Sequence, residues 1–195
     1  MIPIYNAIIG NDKCGVDKIS FVKVPAVERD FFAFENTKTQ VMFSADEDKR
    51  IVTGVLMRCD YPIIREDANR GKYYIKFDKE TCRYMAEKLL ADGNQNKVNT
   101  NHLQNSDVDG VNMFELFIKD TAKGINPVGF EDIADGSLFA SYKVNNPDVW
   151  SAIKDGTFKG YSVEGTFDLI LEDDEDDDLK EILEMLEDLY KRTHK

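Results

Sequence analysis

The sequence predicts an α+β fold, an antiparallel sheet or barrel covered by helices. Three observations point there. Most of residues 1–171 falls into short segments rich in β-branched and aromatic residues. Only two segments in that stretch carry a complete helix signature. No internal repeat divides the chain, whose 195 residues suit one domain with an appendage.

In chain order, Lys18 to Val24 (KISFVKV) alternates imperfectly and leads into Pro25-Ala26-Val27. Arg50 to Met57 (RIVTGVLM) and Lys72 to Phe77 (KYYIKF) read as strands, and the polar connection Arg65 to Gly71 reads as the long loop of a hairpin between them. Asp78 then caps a helix whose apolar stripe is Cys82, Met85, Ala86, Leu89 and Leu90, with Gly93 as its stop. Val111 to Ile118 is a further strand. Asn146-Pro147-Asp148 opens a second, short helix that turns Trp150 and Ile153 inward and ends at Gly156.

The net charge of −12 is unevenly spread. Residues 172–195 hold eleven acids against four bases, a net of −7, which leaves −5 for residues 1–171. The run Glu172 to Asp178 repels itself and has nothing apolar to bury. Behind it, Leu179, Ile182, Leu183, Leu186, Leu189 and Tyr190 recur at helical spacing. The expected organisation is a domain over 1–171, then an acidic hinge and an amphipathic helix over 172–195. That helix reads either as a solvated tail or as a docking device for a partner or a second copy.

Composition also narrows the function. A pI near 4.7 argues against gripping nucleic acid through its phosphates. The apolar stretches are too short for a transmembrane helix, and the Met1-Ile2-Pro3-Ile4 start has no secretory pattern. Cys14, Cys59 and Cys82 are expected as free thiols in a reducing cytoplasm. No phosphate loop of either common pattern occurs, and no cofactor is expected. No metal site is expected either, since His102 and His194 stand far apart in sequence and Asp107-Val108-Asp109-Gly110 reads as a polar turn.

Residues 1–171 therefore hold one histidine, His102, in Val98-Asn99-Thr100-Asn101-His102-Leu103. Its best candidate partner is Ser162 in Gly160-Tyr161-Ser162-Val163-Glu164-Gly165, where the glycines allow another backbone to approach closely. A serine hydroxyl attacks well only when an imidazole removes its proton, and the imidazole works best when a third group orients it. From residue chemistry alone, a structural or exposed His102 and an ordinary strand serine at 162 are the favoured readings. A cysteine hydrolase on His102 ranks lower: Cys82 lies on the helix stripe, and Cys14 has no base nearby in sequence.

The ordered set of Ile19 to Ala26 (ISFVKVPA), Thr53 to Met57 (TGVLM), Tyr73 to Phe77, Asn101-His102, Asp148-Val149-Trp150 and Lys159 to Gly165 (KGYSVEG) resembles the XkdF-like phage prohead proteases. The resemblance spans roughly residues 15–170, and that family looks related to the herpesvirus assemblins. It implies a β-barrel ringed by helices and a Ser–His endopeptidase that digests scaffold inside the immature capsid, in the host cytoplasm. Its partners would be the scaffold and major capsid proteins. Ser162 would be the nucleophile and His102 the general base. The second histidine that orients the base in assemblins has only His194 to match it here, so a carboxylate is expected instead. Glu115 is the first choice, because alternation along Val111 to Ile118 places it on the face of Val111, Met113 and Phe117, where an acid is costly unless paired. Glu164 is the rival, two residues from Ser162 and so on the same strand face, with an exposed strand acid as its other reading. A non-catalytic head-assembly protein on the same fold is the alternative function.

Overall fold

A computed structural model describes residues 2–23, 25, 44–46, 49–103 and 106–172. The acidic run beyond Glu172 and the amphipathic segment up to Lys195 lie outside the described residues.

Eleven strands, two α-helices and one short 3₁₀ helix (Thr121–Lys123) are described. The strands are β1 (Ile4–Ile8), β2 (Gly15–Val22), β3 (Ser44–Asp46), β4 (Ile51–Met57), β5 (Ile63–Asp67), β6 (Gly71–Phe77), β7 (Val98–Thr100), β8 (Val111–Ile118), β9 (Leu138–Val144), β10 (Gly160–Thr166) and β11 (Asp168–Leu171). The helices are α1 (Lys79–Ala91) and α2 (Pro147–Lys154). They form three sheets, ordered β11-β1-β6-β5, β10-β2-β7 and β3-β4-β9-β8. The architecture is α+β and mostly β.

It is not the closed barrel that the family resemblance implied. Among the described residues the three sheets stay open, and β1–β6 and β2–β7 pair in parallel. One cause is visible in β10. A register shift between Glu164 and Gly165 bends the strand, and the chain passes through Phe167 into β11, which pairs in a different sheet.

The expected β4–β6 hairpin does not form either. β4 pairs with β9, while β6 pairs with β5, which includes part of the polar connection. The turn is tighter than expected because Asp67 accepts the backbone N–H groups of Arg70 and Asn69 at 2.7 and 2.8 Å. Those bonds, the Arg70 N–H first, hold its carboxyl well below the usual range.

Both helices begin as their caps require. Asp78 accepts from Thr81 N, and Asn146 accepts from Asp148 N and Val149 N with Pro147 in the first turn. α1 packs on β2 and buries Cys82, Met85 and Leu89, whereas Leu90 is exposed. Beneath the second sheet lies an aromatic cluster. The rings of Tyr142, Phe158 and Tyr161 stand edge-on to Phe21 with centroids 5.2–6.5 Å away. The Tyr161 hydroxyl is satisfied by Val52 O.

Gly165 is needed for a steric reason. A Cβ at that position would lie 2.0 Å from Gly15 O, a backbone atom of the paired strand. Gly165→Ala should therefore force β10 and β2 apart and cost about 1–3 kcal/mol, the usual penalty of overpacking, read as a lower denaturation midpoint. The cysteines supply a pH test. Burial, helped by a hydrogen bond to Asp60, pushes the Cys59 thiol up to about 12, and burial raises Cys82 as well. Above about pH 8.5 the unfolded chain releases these protons while the native chain keeps them. Stability should thus fall as pH rises from about 9 towards 12, by up to about 1.4 kcal/mol per pH unit for each thiol. Urea midpoints at pH 7.5, 9 and 10 test this, and a flat profile contradicts it.

Candidate active site

The second sheet sets one row of polar side chains across three strands. Ser162 on β10 is in register with Ser20 on β2, and Ser20 with Asn99 on β7. Residues in register project to the same face, so the three share a surface. The neighbours Phe21 and Tyr161 take the opposite face and enter the aromatic cluster. Ser20 is fully buried, while Asn99 and Ser162 are 3% and 8% exposed.

Glu164, two residues along β10 from Ser162, lies on that face too. Its Oε1 accepts Asn99 Nδ2–H at 2.7 Å and meets His102 Nδ1 at 2.9 Å. β10 and β7 are separated by β2, which makes about 10 Å at normal strand spacing. Glu164 and Asn99 bridge that gap over β2, whose residues on this face are Lys18, opposite Glu164, and the small Ser20, opposite Asn99.

His102 reaches the bridge through a sharp corner. β7 ends after Thr100, and both Asn101 (φ 51°) and His102 (φ 56°) adopt the left-handed conformation. Two such non-glycine residues in succession are strained, and asparagine tolerates the region best. Four bonds hold the corner, one of them from Leu103 N–H to Thr100 O at 3.1 Å across the turn. Asn101 N–H donates to Phe21 O at 2.9 Å, Asn101 Oδ1 accepts Lys23 N–H at 3.2 Å, and His102 N–H donates to Ser20 Oγ at 2.9 Å. Without the corner the histidine would continue along the strand instead of turning towards Glu164.

The acceptor-only carboxylate has a chemical consequence. Glu164 facing Nδ1 requires the hydrogen there, which leaves the Nε2 lone pair of neutral His102 available as a base. No hydrogen bond links His102 to Ser162, and Ser162 Oγ has no hydrogen-bond partner among the described residues.

Glu115 is elsewhere. It lies on β8 in the third sheet, in register with Ser141, and its side chain is exposed. A register shift between Met113 and Glu115 resets the alternation, so that Phe114 and Glu115 both face outward. The expectation that it turns inward to orient His102 therefore fails on position; the carboxylate beside the ring is Glu164.

Ser20 and Asn99 were not singled out in the sequence. Their signal was present: each is a polar residue in a buried strand, and such a group needs a partner.

The surroundings are otherwise plain. All three cysteines are buried free thiols, and Cys59 and Cys82 are raised away from thiolate. Among the described residues no group of His, Cys, Asp and Glu is placed to hold a metal ion, and no helix is long and apolar enough to cross a membrane. A groove of about 720 Å³, lined by Arg65, Tyr73, Phe77, Val163 and Phe167, lies along β10 but is not lined by Ser162 or His102.

The Ser20→Val substitution tests the bridge. Valine suits a strand, yet it removes the acceptor of His102 N–H and puts branched bulk between Ser162 and Asn99 in the polar row. The expected cost is about 1–3 kcal/mol, seen by chemical denaturation, together with loss of the His102–Glu164 contact by NMR.

A family model described as "Putative phage serine protease XkdF" matches residues 38–171, more than half of the chain and including Asn99, His102, Ser162 and Glu164. No curated protein and no solved structure matches it.

Proposed function

Because the chain belongs to the XkdF family of phage serine proteases, we propose that it is a serine endopeptidase of phage head maturation, with Ser162 as nucleophile, His102 as general base and Glu164 as the carboxylate that orients the base. The observation that carries this reading is the 2.9 Å contact between His102 Nδ1 and Glu164 Oε1 on the face that also bears Ser162.

In the first step His102 Nε2 takes the Ser162 hydroxyl proton as Oγ attacks the scissile carbonyl. The imidazolium formed is stabilised by Glu164. It then returns the proton to the leaving amine, the peptide C–N bond breaks, and the acyl group remains on Ser162. Water, deprotonated by the same imidazole, hydrolyses that ester and regenerates the hydroxyl. Base and nucleophile need not be bonded beforehand, since such contacts commonly tighten only when substrate is bound.

The substrates in this reading are scaffold and capsid proteins inside the procapsid, with cleavage of the chain itself as a further target. Kinship with the herpesvirus assemblins belongs to the same reading and comes only through the family. The segment 172–195, with its −7 charge and helical spacing, is the proposed recruitment element, acting on a capsid partner or on a second copy.

Ser162→Ala and His102→Ala should abolish cleavage of co-expressed scaffold without lowering the melting temperature by more than a few degrees. Glu164→Gln should lower kcat by roughly 10²- to 10⁴-fold, the range for loss of the orienting acid or of acid–base function. Glu115→Gln should behave as wild type. Wild-type cleavage by Ser162→Ala overturns the reading. Capsid binding that survives Ser162→Ala with His102→Ala but is lost on deleting 172–195 separates recruitment from catalysis.

A further inference from the structure

We infer that Asn99 is a positioning residue of this site, which holds the Glu164 carboxylate where it fixes the tautomer and direction of His102. The inference rests on the Ser162–His102–Glu164 reading and extends it by one residue.

The geometry is specific. Asn99 Nδ2 and His102 Nδ1 converge on one oxygen, Glu164 Oε1, at 2.7 and 2.9 Å. Glu164 is itself a partly exposed strand side chain, a third of it open to solvent. On such a strand nothing local selects the rotamer that crosses β2. Asn99 is 3% exposed and held in the β7 ladder, so it is the fixed end of the bridge.

The other half of the amide makes the stronger argument. A carboxylate only accepts hydrogen bonds, so the amide must turn its NH₂ group towards Glu164. That choice leaves Asn99 Oδ1 buried with no hydrogen-bond partner among the described residues. An unsatisfied buried acceptor costs stability, and such exceptions call for an explanation. Here the donor is committed to the carboxylate, and the acceptor is left over. The arrangement favours orientation of Glu164 over hydrogen-bond completeness.

Asn99→Ala and Asn99→Asp test the assignment from two sides. Alanine removes the donor; aspartate keeps the shape and replaces the donor with an acceptor that repels Glu164. The chain has two histidines, so a His194→Gln background leaves His102 as the single imidazole for ¹⁵N NMR. In the unsubstituted site the expected signature is one tautomer, protonated at Nδ1. Both Asn99 variants should mix in the Nε2-protonated tautomer, in a Ser162→Ala background as well, where no turnover occurs. With Ser162 present, kcat on scaffold should fall about 10- to 100-fold, the scale for loss of a supporting hydrogen bond, with KM within twofold. An unchanged tautomer, an unchanged kcat, or a kcat loss no greater than the loss of folded protein overturns the role of Asn99. If Ser162→Ala itself cleaves as wild type, the failure belongs to the underlying reading and not to Asn99.

Discussion

The pairing of β10 with β2 is the constraint on which the site depends. Because side chains alternate strictly along a strand, this one register sends Tyr161 and Phe21 into the aromatic core and Ser162, Ser20 and Glu164 to the other face. A slip of one residue would exchange the two sets. The rings of Tyr142, Phe158 and Tyr161, edge-on to Phe21, make that slip costly, since Phe21 is a large apolar body fitted against all three. Core packing thereby specifies the position of a polar row it never touches.

The parallel strand β7 completes the row at a local cost. It is three residues long, and the chain leaves it through two left-handed residues held by bonds to Phe21, Lys23 and Ser20. Strain of this kind persists only where surrounding structure over-determines it. The stranded Oδ1 of Asn99 lies at the same place. Local rules of conformation and of hydrogen-bond completeness are thus broken within four residues of one another, beside the only histidine of residues 1–171. The bulge after Glu164 adds a third irregularity, which turns the chain out of this sheet and towards β11.

Much of the scaffold was legible in the sequence. Both helices carry their caps in adjacent residues, Asp78 with Thr81 and Asn146 with Asp148 and Val149, and a cap is a contact over two or three positions. The strands around Phe21, Val55, Tyr73 and Phe117 were marked by β-branched and aromatic residues. The hairpin was misread because Arg65 and Glu66 are polar on an edge strand, where polarity fits a strand as well as a loop. Glu115 was misread for a different reason. Alternation predicts a face only while the ladder is regular, and the bulge after Met113 depends on its partner β9.

By itself the sequence determined the element types, the capped helices, the uneven charge and the pair of motifs that carry His102 and Ser162. These follow from contacts a few residues apart, or from motifs that need no coordinates to be recognised. Only the tertiary structure decided that the described strands divide into three open sheets, that Glu164 and not Glu115 meets His102, and that Ser20 and Asn99 lie on the face of Ser162. The physical reason is distance along the chain. Glu164 lies 62 residues from His102 and 65 from Asn99, and their meeting is set by register across β10, β2 and β7, which no local pattern encodes.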